Sequence, residues 1–348
     1  MHTQNYFSWL TSETVSKWTN DSGILAQNIA ATKIGAVGCT TNPPLSFEAL
    51  TTDTALYAEG LAKIDKNLPD DEFATEAMGL VIRQLSTHYL PMHKEKGTYH
   101  GCVRAQVRPS LRNDAEGMLK AAKLFSSWGE NVMVKIPVTE AGIWVLEELA
   151  ALGIPTNPTV TTSVSQAVAA AEAYERGIVR AKAAGITPAW TTEAIVMGRL
   201  QDYLAQLNEE RSAGLATTDL EWACIAFVKR TREIFKKKGY ASVMQPAAFR
   251  SALQVEQISG AEFCSTIHPK VQQMVEEADA AGTLKREALI DAPVDKAAVD
   301  RVCLAFPEFV AAYEPDAIAV KDFATSGPTQ MTLDGFDQGW QKIFTLKK

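Results

Sequence analysis

Lys135 stands near the end of the apolar run NVMVKIP. A lysine inside a buried strand is costly unless it is paired or neutral. Burial lowers the pKa of an amine and makes it nucleophilic, and such an amine can attack a ketone to form a Schiff base. The alternative is a lysine whose stem crosses the apolar layer and whose charge reaches solvent. Asp21, in WTNDSG, reads on its own as the cap of the following helix. Asn42, in CTTNPPL, reads on its own as opening a turn before proline. Arg104 and Gln106, two apart in VRAQVRPSLR, share one face of a strand. A charged Arg104 in a packed interior needs a partner: a core carboxylate such as Asp21, or an anionic ligand. His268, in STIHP, is either a proton donor or a rim histidine bonded to backbone.

These residues fall at or near the ends of short β-type runs. Such runs are expected at 13–20, 35–40, 101–107, 131–136, 154–160, 193–197, 241–244 and 262–267. Helix-period segments follow them, for example 115–128, 140–152 and 163–176, the second of them stopped at Gly153. Eight strands alternating with helices is the pattern of a (β/α)8 TIM barrel, in which the C-terminal strand ends form the active rim. The polar residues that close several runs, Asp21, Asn42, Gln106, Lys135, Asn157, Arg199, Arg250 and His268, would then share one end of the molecule. A doubly wound sheet gives similar alternation, but neither G-x-G-x-x-G nor G-x-x-x-x-G-K-[ST] occurs. Residues 208–238 read as a helical insertion between strands six and seven. Residues 271–348 read as helices packed on a core of about 13–270, within one domain covering 1–348.

The 348 residues include 34 basic and 41 acidic side chains, a formal net charge of −7. Apolar residues make up 46% and charged ones 22%, the balance of an ordinary globular chain rather than a disordered one. Length alone allows two or three domains or one large barrel. An acidic chain without a basic run lacks the electrostatic footprint of a nucleic-acid binder. The five cysteines, Cys39, Cys102, Cys224, Cys264 and Cys303, are scattered and form no C-x-x-C, which predicts reduced thiols rather than a disulfide framework. His2, His88, His93 and His100 show no metal-ligand spacing. The uncharged stretch 149–171 contains prolines, Asn157 and Gln166, whose insertion cost argues against a membrane span. The N-terminus reads as lacking a secretory signal. A cytoplasmic protein with no membrane partner is the expectation.

Taken together, these segments resemble the transaldolase family. GCTTNPPL is similar to its T-T-N-P-S-L signature, and VMVKIPVTEAGI to the segment holding its Schiff-base lysine. NPTVTTSVSQA, VMGRLQDYL and AAFRSALQVEQISGAEFCSTIHP resemble its later segments, in family order. The resemblance spans roughly residues 21–269, and is closer to a divergent branch than to the pentose phosphate enzymes. It implies a (β/α)8 barrel and aldol chemistry that needs no cofactor and no metal. Lys135 would attack the ketose carbonyl, and Asp21 would take the proton of the C4 hydroxyl as the C3–C4 bond breaks. The three-carbon fragment would stay on Lys135 as an enamine until an aldehyde accepts it. Asn42 and Asn157 would hold sugar hydroxyls, Thr159 a water, and Arg199 and Arg250 the distal phosphate. The implied partner is a sugar or sugar phosphate, and a homo-oligomer is the implied assembly.

The pattern departs from the family in three places. The strand-three glutamate is Gln106, which can hold a water but cannot relay its proton. The related fructose-6-phosphate aldolase branch also has glutamine there with a tyrosine nearby, but that position is Val196. The serines that accompany the phosphate arginines are Ala194 and Ala248. Arg104 has no counterpart in this reading of the site. The leading expectation is dihydroxyacetone transfer. Direct aldol cleavage and a catalytically weak sugar-phosphate-binding homologue are the alternatives.

Overall fold

The computed structural model describes residues 4–347. His2 and Lys348, the last residue of the expected extension, lie outside them. Eight short strands appear, one in each expected run: β1 Lys17–Asp21, β2 Gly38–Thr40, β3 Cys102–Gln106, β4 Val132–Pro137, β5 Thr156–Thr159, β6 Thr192–Ile195, β7 Val243–Pro246 and β8 Cys264–Ile267. The first expected run begins too early. Residues Tyr6–Glu13 form a helix whose N-terminus is capped by Asn5, Oδ1 accepting from Phe7 N at 2.8 Å.

Six strands form one parallel sheet in the order β5-β4-β3-β2-β1-β8, and β6 and β7 form a separate parallel pair. The last strand therefore lies beside the first, so the sheet curls into a half-barrel. Single bridges, Thr156 with Thr191 and Thr161 with Ile195, connect β5 to β6. The strands are buried on both faces, as parallel strands covered by helices must be.

Side-chain caps start several helices right after a strand. Thr139 Oγ1 accepts from Gly142 N at the helix Glu140–Ala151, and Ser163 Oγ accepts from Gln166 N at Val164–Ala183. Gly153, with φ +68°, lets the chain leave the first of these. These stops keep the crossovers short and hold the strand ends in register.

The crossover between β2 and β3 is larger than the sequence pattern suggests. It carries helices Pro43–Thr52, Thr54–Lys63 and the 27-residue Asp70–Lys96. The expected insertion at 208–238 is two separate pieces. Residues 208–210 are the last turn of the helix Met197–Glu210, and Thr217–Lys238 is a second helix beyond a turn at Gly214.

The helix Gly327–Phe344 crosses the C-terminal strand ends. Thr329 Oγ1 bonds Thr162 Oγ1 and accepts from Gln166 Nε2, Asp334 pairs with Arg112 at 2.8 Å, and Trp340 Nε1 donates to Asp71 at 2.8 Å. Leu333 and Phe336 pack on Val160, just past β5. Burial of such side chains contributes about 1.5–3 kcal/mol each. Among the described residues no helix is long and apolar enough to cross a membrane.

Candidate active site

Three adjacent strands bring Gln106, Lys135 and Asn157 into line. Gln106 pairs in register with Lys135, and Lys135 with Asn157. Lys135 is only 5% exposed. Its Nζ donates to Thr41 O at 3.2 Å, just past the C-terminal end of β2. Burial pushes its pKa down from 10.5 to about 8; Asp21 opposes the shift, and Arg104 and Arg199 add to it. The solvent-reaching alternative for this side chain is therefore not what the structure contains. The amine is buried and aimed at the strand ends, and it gives up its proton far more readily than an ordinary lysine.

Asp21 ends β1 and is half-buried. It does not cap the next helix: Leu25–Lys33 has no side-chain cap, and Ser22 Oγ accepts from Ile24 N instead. Thr40, opposite Asp21 in register, donates from Oγ1 to Asp21 Oδ1 at 2.6 Å and also touches Thr266 Oγ1. The second carboxylate oxygen of Asp21 has no hydrogen-bond partner among the described residues. Thr40 fixes the carboxylate's orientation, and only strand register reveals it.

Several polar atoms around Lys135 are buried without protein partners. They include Gln106 Oε1, Asn157 Oδ1 and Thr159 Oγ1. Gln106 is 1% exposed and Thr159 fully buried. A buried polar atom left unpaired costs about 1–3 kcal/mol, so atoms of this kind mark a place where water or ligand belongs. Asn157 presents its amide nitrogen to Thr192 O, Thr192 Oγ1 and Gln245 Oε1. Asn42 caps the helix Pro43–Thr52, its Oδ1 accepting from Leu45 N at 2.9 Å, so the amide nitrogen is left for other partners.

Arg199 lies in the first turn after β6, and Arg250 in the loop after β7. Both are half-buried, and one carboxylate, Asp202, stands between them. Arg250 donates to Asp202 from Nε at 2.7 Å and from Nη2 at 2.5 Å. Arg199 Nη1 lies 3.6 Å from Asp202 Oδ2, and its guanidinium sits 5.5 Å from the Phe336 ring centroid. Burial and the neighbouring Arg250 lower the pKa of Arg199. Asp202 was absent from the sequence reading. Its spacing of three from Arg199 on one helix is the signal that could have found it. Ala194 and Ala248 flank this corner without hydroxyls; Ala248 and Val160, just past β7 and β5, both have φ +60°. Positive φ is uncommon for alanine and a genuine outlier for β-branched valine.

Two expectations change. Arg104 makes no ion pair with Asp21 or, among the described residues, with any carboxylate. It is fully buried, Nε donating to Thr192 Oγ1 at 3.2 Å, Nη1 to Cys102 O at 3.2 Å and Nη2 to Cys264 Sγ at 3.8 Å. All three partners begin their strands, so Arg104 points to the floor of the sheet, away from the rim where a substrate would enter. His268 caps the helix Pro269–Ala280, Nδ1 accepting from Lys270 N at 3.2 Å. Of its two readings the backbone-bonded one is found.

The comparisons follow this geometry. Residues 23–344 match the family model described as Transaldolase/Fructose-6-phosphate aldolase. A protein named Transaldolase from Neisseria meningitidis serogroup A is 36% identical over 181 residues, 51% of this chain and 50% of that protein. Transaldolase 1 of Streptomyces avermitilis is 27% identical over 348 residues, 89% of this chain and 90% of its own. The match thus spans half the length of the Neisseria relative and nearly all of the Streptomyces one.

Proposed function

The chain belongs to the transaldolase/fructose-6-phosphate aldolase family, and from that premise we propose that it transfers a dihydroxyacetone unit between sugar or sugar-phosphate substrates through a Schiff base on Lys135. The observation that carries this reading is the buried amine of Lys135, held at the strand ends with a pKa near 8. An amine of that kind attacks a ketose carbonyl without first losing a tightly held proton. Asp21, its carboxylate held on one side by Thr40, takes the C4 hydroxyl proton as the C3–C4 bond breaks and returns it to the acceptor aldehyde. Gln106 and Thr159 hold the water that serves the carbinolamine steps. Asn42 and Asn157 face the sugar hydroxyls, and Arg199 and Arg250 the distal anion. General acid–base groups of this sort contribute about 10²- to 10⁴-fold.

The closed (β/α)8 barrel is part of the same proposal. The bridges from β5 to β6 and the Gln245 to Thr19 contact between β7 and β1, at 3.4 Å, support it. The five free cysteines fit a reducing, cytoplasmic setting.

Gln106 favours a second reading, direct cleavage with release of dihydroxyacetone, because an amide beside Lys135 relays no proton. One experiment addresses both. The protein is incubated with a ketose phosphate, reduced with borohydride, and the adduct is mapped by mass spectrometry. An adduct on Lys135 is expected, and turnover that depends on an added aldehyde favours transfer. A panel of ketose donors that leaves Lys135 unmodified overturns the Schiff-base reading.

A further inference from the structure

The interior carries a buried guanidinium that the proposed chemistry does not use. Arg104 is fully buried, and among the described residues it forms no ion pair with a carboxylate. It belongs to the same face of β3 as Gln106, one layer nearer the strand starts. Gln106 is the register partner of Lys135, so the Arg104 backbone lies one layer beneath that of the amine, and Arg104 Nε donates to the same Thr192 Oγ1 that takes a hydrogen bond from Asn157, the other register partner of Lys135. A place is built for it. Gly38 pairs with Cys102 in register, and a Cβ at Gly38 would come within 3.2 Å of Arg104 Nη1. Thr192, Cys102 and Cys264 take its protons with a hydroxyl, a carbonyl and a thiol, none of them charged.

The groups facing Arg104 from the surrounding elements leave it without an anion. They are the thiols of Cys39, Cys102 and Cys264, the phenols of Tyr89 and Tyr99, and the imidazole of His100. Burial raises the three thiols and both phenols, Cys102 and Tyr99 to about 12, so none of them is negative at neutral pH. Burial lowers His100 and keeps it neutral. Lys135 faces Asp21 from β1, Arg104 from β3 and Arg199 from the helix after β6. A buried unpaired charge is normally avoided, and this one is retained where its field falls on one amine.

We propose that Arg104 is a positioning residue, a cation under the floor of the site that favours the neutral, nucleophilic form of the Lys135 amine. The inference rests on Lys135 as the Schiff-base amine. It assigns to Arg104 a task done through Lys135, with no contact to substrate.

The test compares Arg104→Gln and Arg104→Met with the charge-retaining Arg104→Lys. The readouts are far-ultraviolet circular dichroism, and the rate of irreversible modification of Lys135 by dihydroxyacetone and cyanoborohydride as a function of pH. Removing a neighbouring cation lets the amine keep its proton to higher pH. The acid limb of the two neutral variants is expected to move up by about one pH unit, a roughly tenfold loss of rate at pH 7. The rate on the alkaline plateau is expected to match the unmodified protein, and Arg104→Lys to keep the original limb. A limb that stays in place in folded neutral variants overturns the inference. So does a set in which Arg104→Lys folds and neither neutral variant does, since the charge would then be structural. An absent adduct in the unsubstituted protein refutes the Schiff-base reading itself, a result distinct from either.

Discussion

Both carboxylate oxygens of Asp202 accept from Arg250, Nε at 2.7 Å and Nη2 at 2.5 Å. Arg250 Nη1 is also engaged, donating to Ala248 O at 2.7 Å and Phe249 O at 3.1 Å. A guanidinium offers five N–H donors, so Arg250 has about one left for a ligand. The Arg199 guanidinium makes no hydrogen bond among the described residues, only the 3.6 Å approach to Asp202 and the contact with the Phe336 ring. The two arginines are therefore unequal, although sequence alone gives them the same role.

The inequality predicts unequal variants. Arg199→Ala should raise KM for a phosphorylated donor about 10- to 100-fold, the effect of hydrogen bonds to a charged group worth about 1.5–3 kcal/mol. KM for unphosphorylated dihydroxyacetone should hardly move. Arg250→Ala should show the weaker discrimination between the two donors and the larger loss of thermal stability, since it strands the Asp202 carboxylate. Steady-state kinetics with both donors and a thermal melt check this. Equal discrimination by the two variants would refute it.

Burial of Lys135 has a stability consequence. Its native pKa, about 8, lies below the unfolded value of 10.5, so the native state binds the proton less readily. The penalty is full below pH 8 and disappears as pH rises through 10.5. A shift of this size corresponds to about 3 kcal/mol, reduced by the loss of the bond to Thr41 O. Lys135→Met should therefore abolish the borohydride adduct and stabilise the protein at pH 7. The gain should shrink as pH rises from 8 to 10.5. Urea titrations across that range measure it, and a Lys135→Met that is less stable than the parent at pH 7 contradicts the account.

Why some of this could be read from sequence, and some not, is visible in particular residues. VMVKIP and CVRAQ each carry one wholly apolar face, Val132, Val134 and Ile136 or Val103 and Ala105, and follow an asparagine or a glycine, so their strands stand out. The helix Asp70–Lys96 does not, because Gly79 and Pro91 interrupt its pattern and tertiary packing decides it. Lys135 is conspicuous as a charge in an apolar run. That Gln106 and Asn157 flank it is a matter of register, which one strand cannot reveal. Arg104 shows the same limit: its face was legible, but the floor and rim of the sheet differ only in three dimensions.

Glu193, on the outward face of β6, is a second buried ionisable group without a partner among the described residues. It is fully buried, and neither carboxyl oxygen has a hydrogen-bond partner. Its inward neighbour Thr192 meets Arg104 and Asn157. Burial raises the Glu193 pKa well above its usual value, so the native carboxyl holds its proton more tightly than the unfolded one. Stability is then fully present below the unfolded pKa of about 4.3 and is lost as pH rises, by about 1.4 kcal/mol per unit until the native pKa is reached. Glu193→Gln carries no such linkage. The variant should be the more stable at pH 7, with a margin that grows from pH 5 to pH 7 in urea melts. A margin independent of pH would rule this out.

Gln106→Glu tests the proton relay. The amide is 1% exposed, its Oε1 has no partner, and it is the register neighbour of Lys135. A carboxylate in the same place can hold a water and also accept its proton. If the missing relay limits turnover, transfer to an aldehyde acceptor should rise by about 100-fold, the lower end of what general acid–base groups contribute. The substitution also adds a negative charge beside the amine, which favours protonated Lys135. The acid limb of the rate profile should therefore move to higher pH, and the gain should appear on the plateau above it. The measurement is the acceptor-dependent rate between pH 6 and pH 10, with dihydroxyacetone release followed in parallel. A plateau rate that falls or stays level would mean that Gln106 does not limit transfer. The distinction between transfer and cleavage would then rest on how the acceptor is bound.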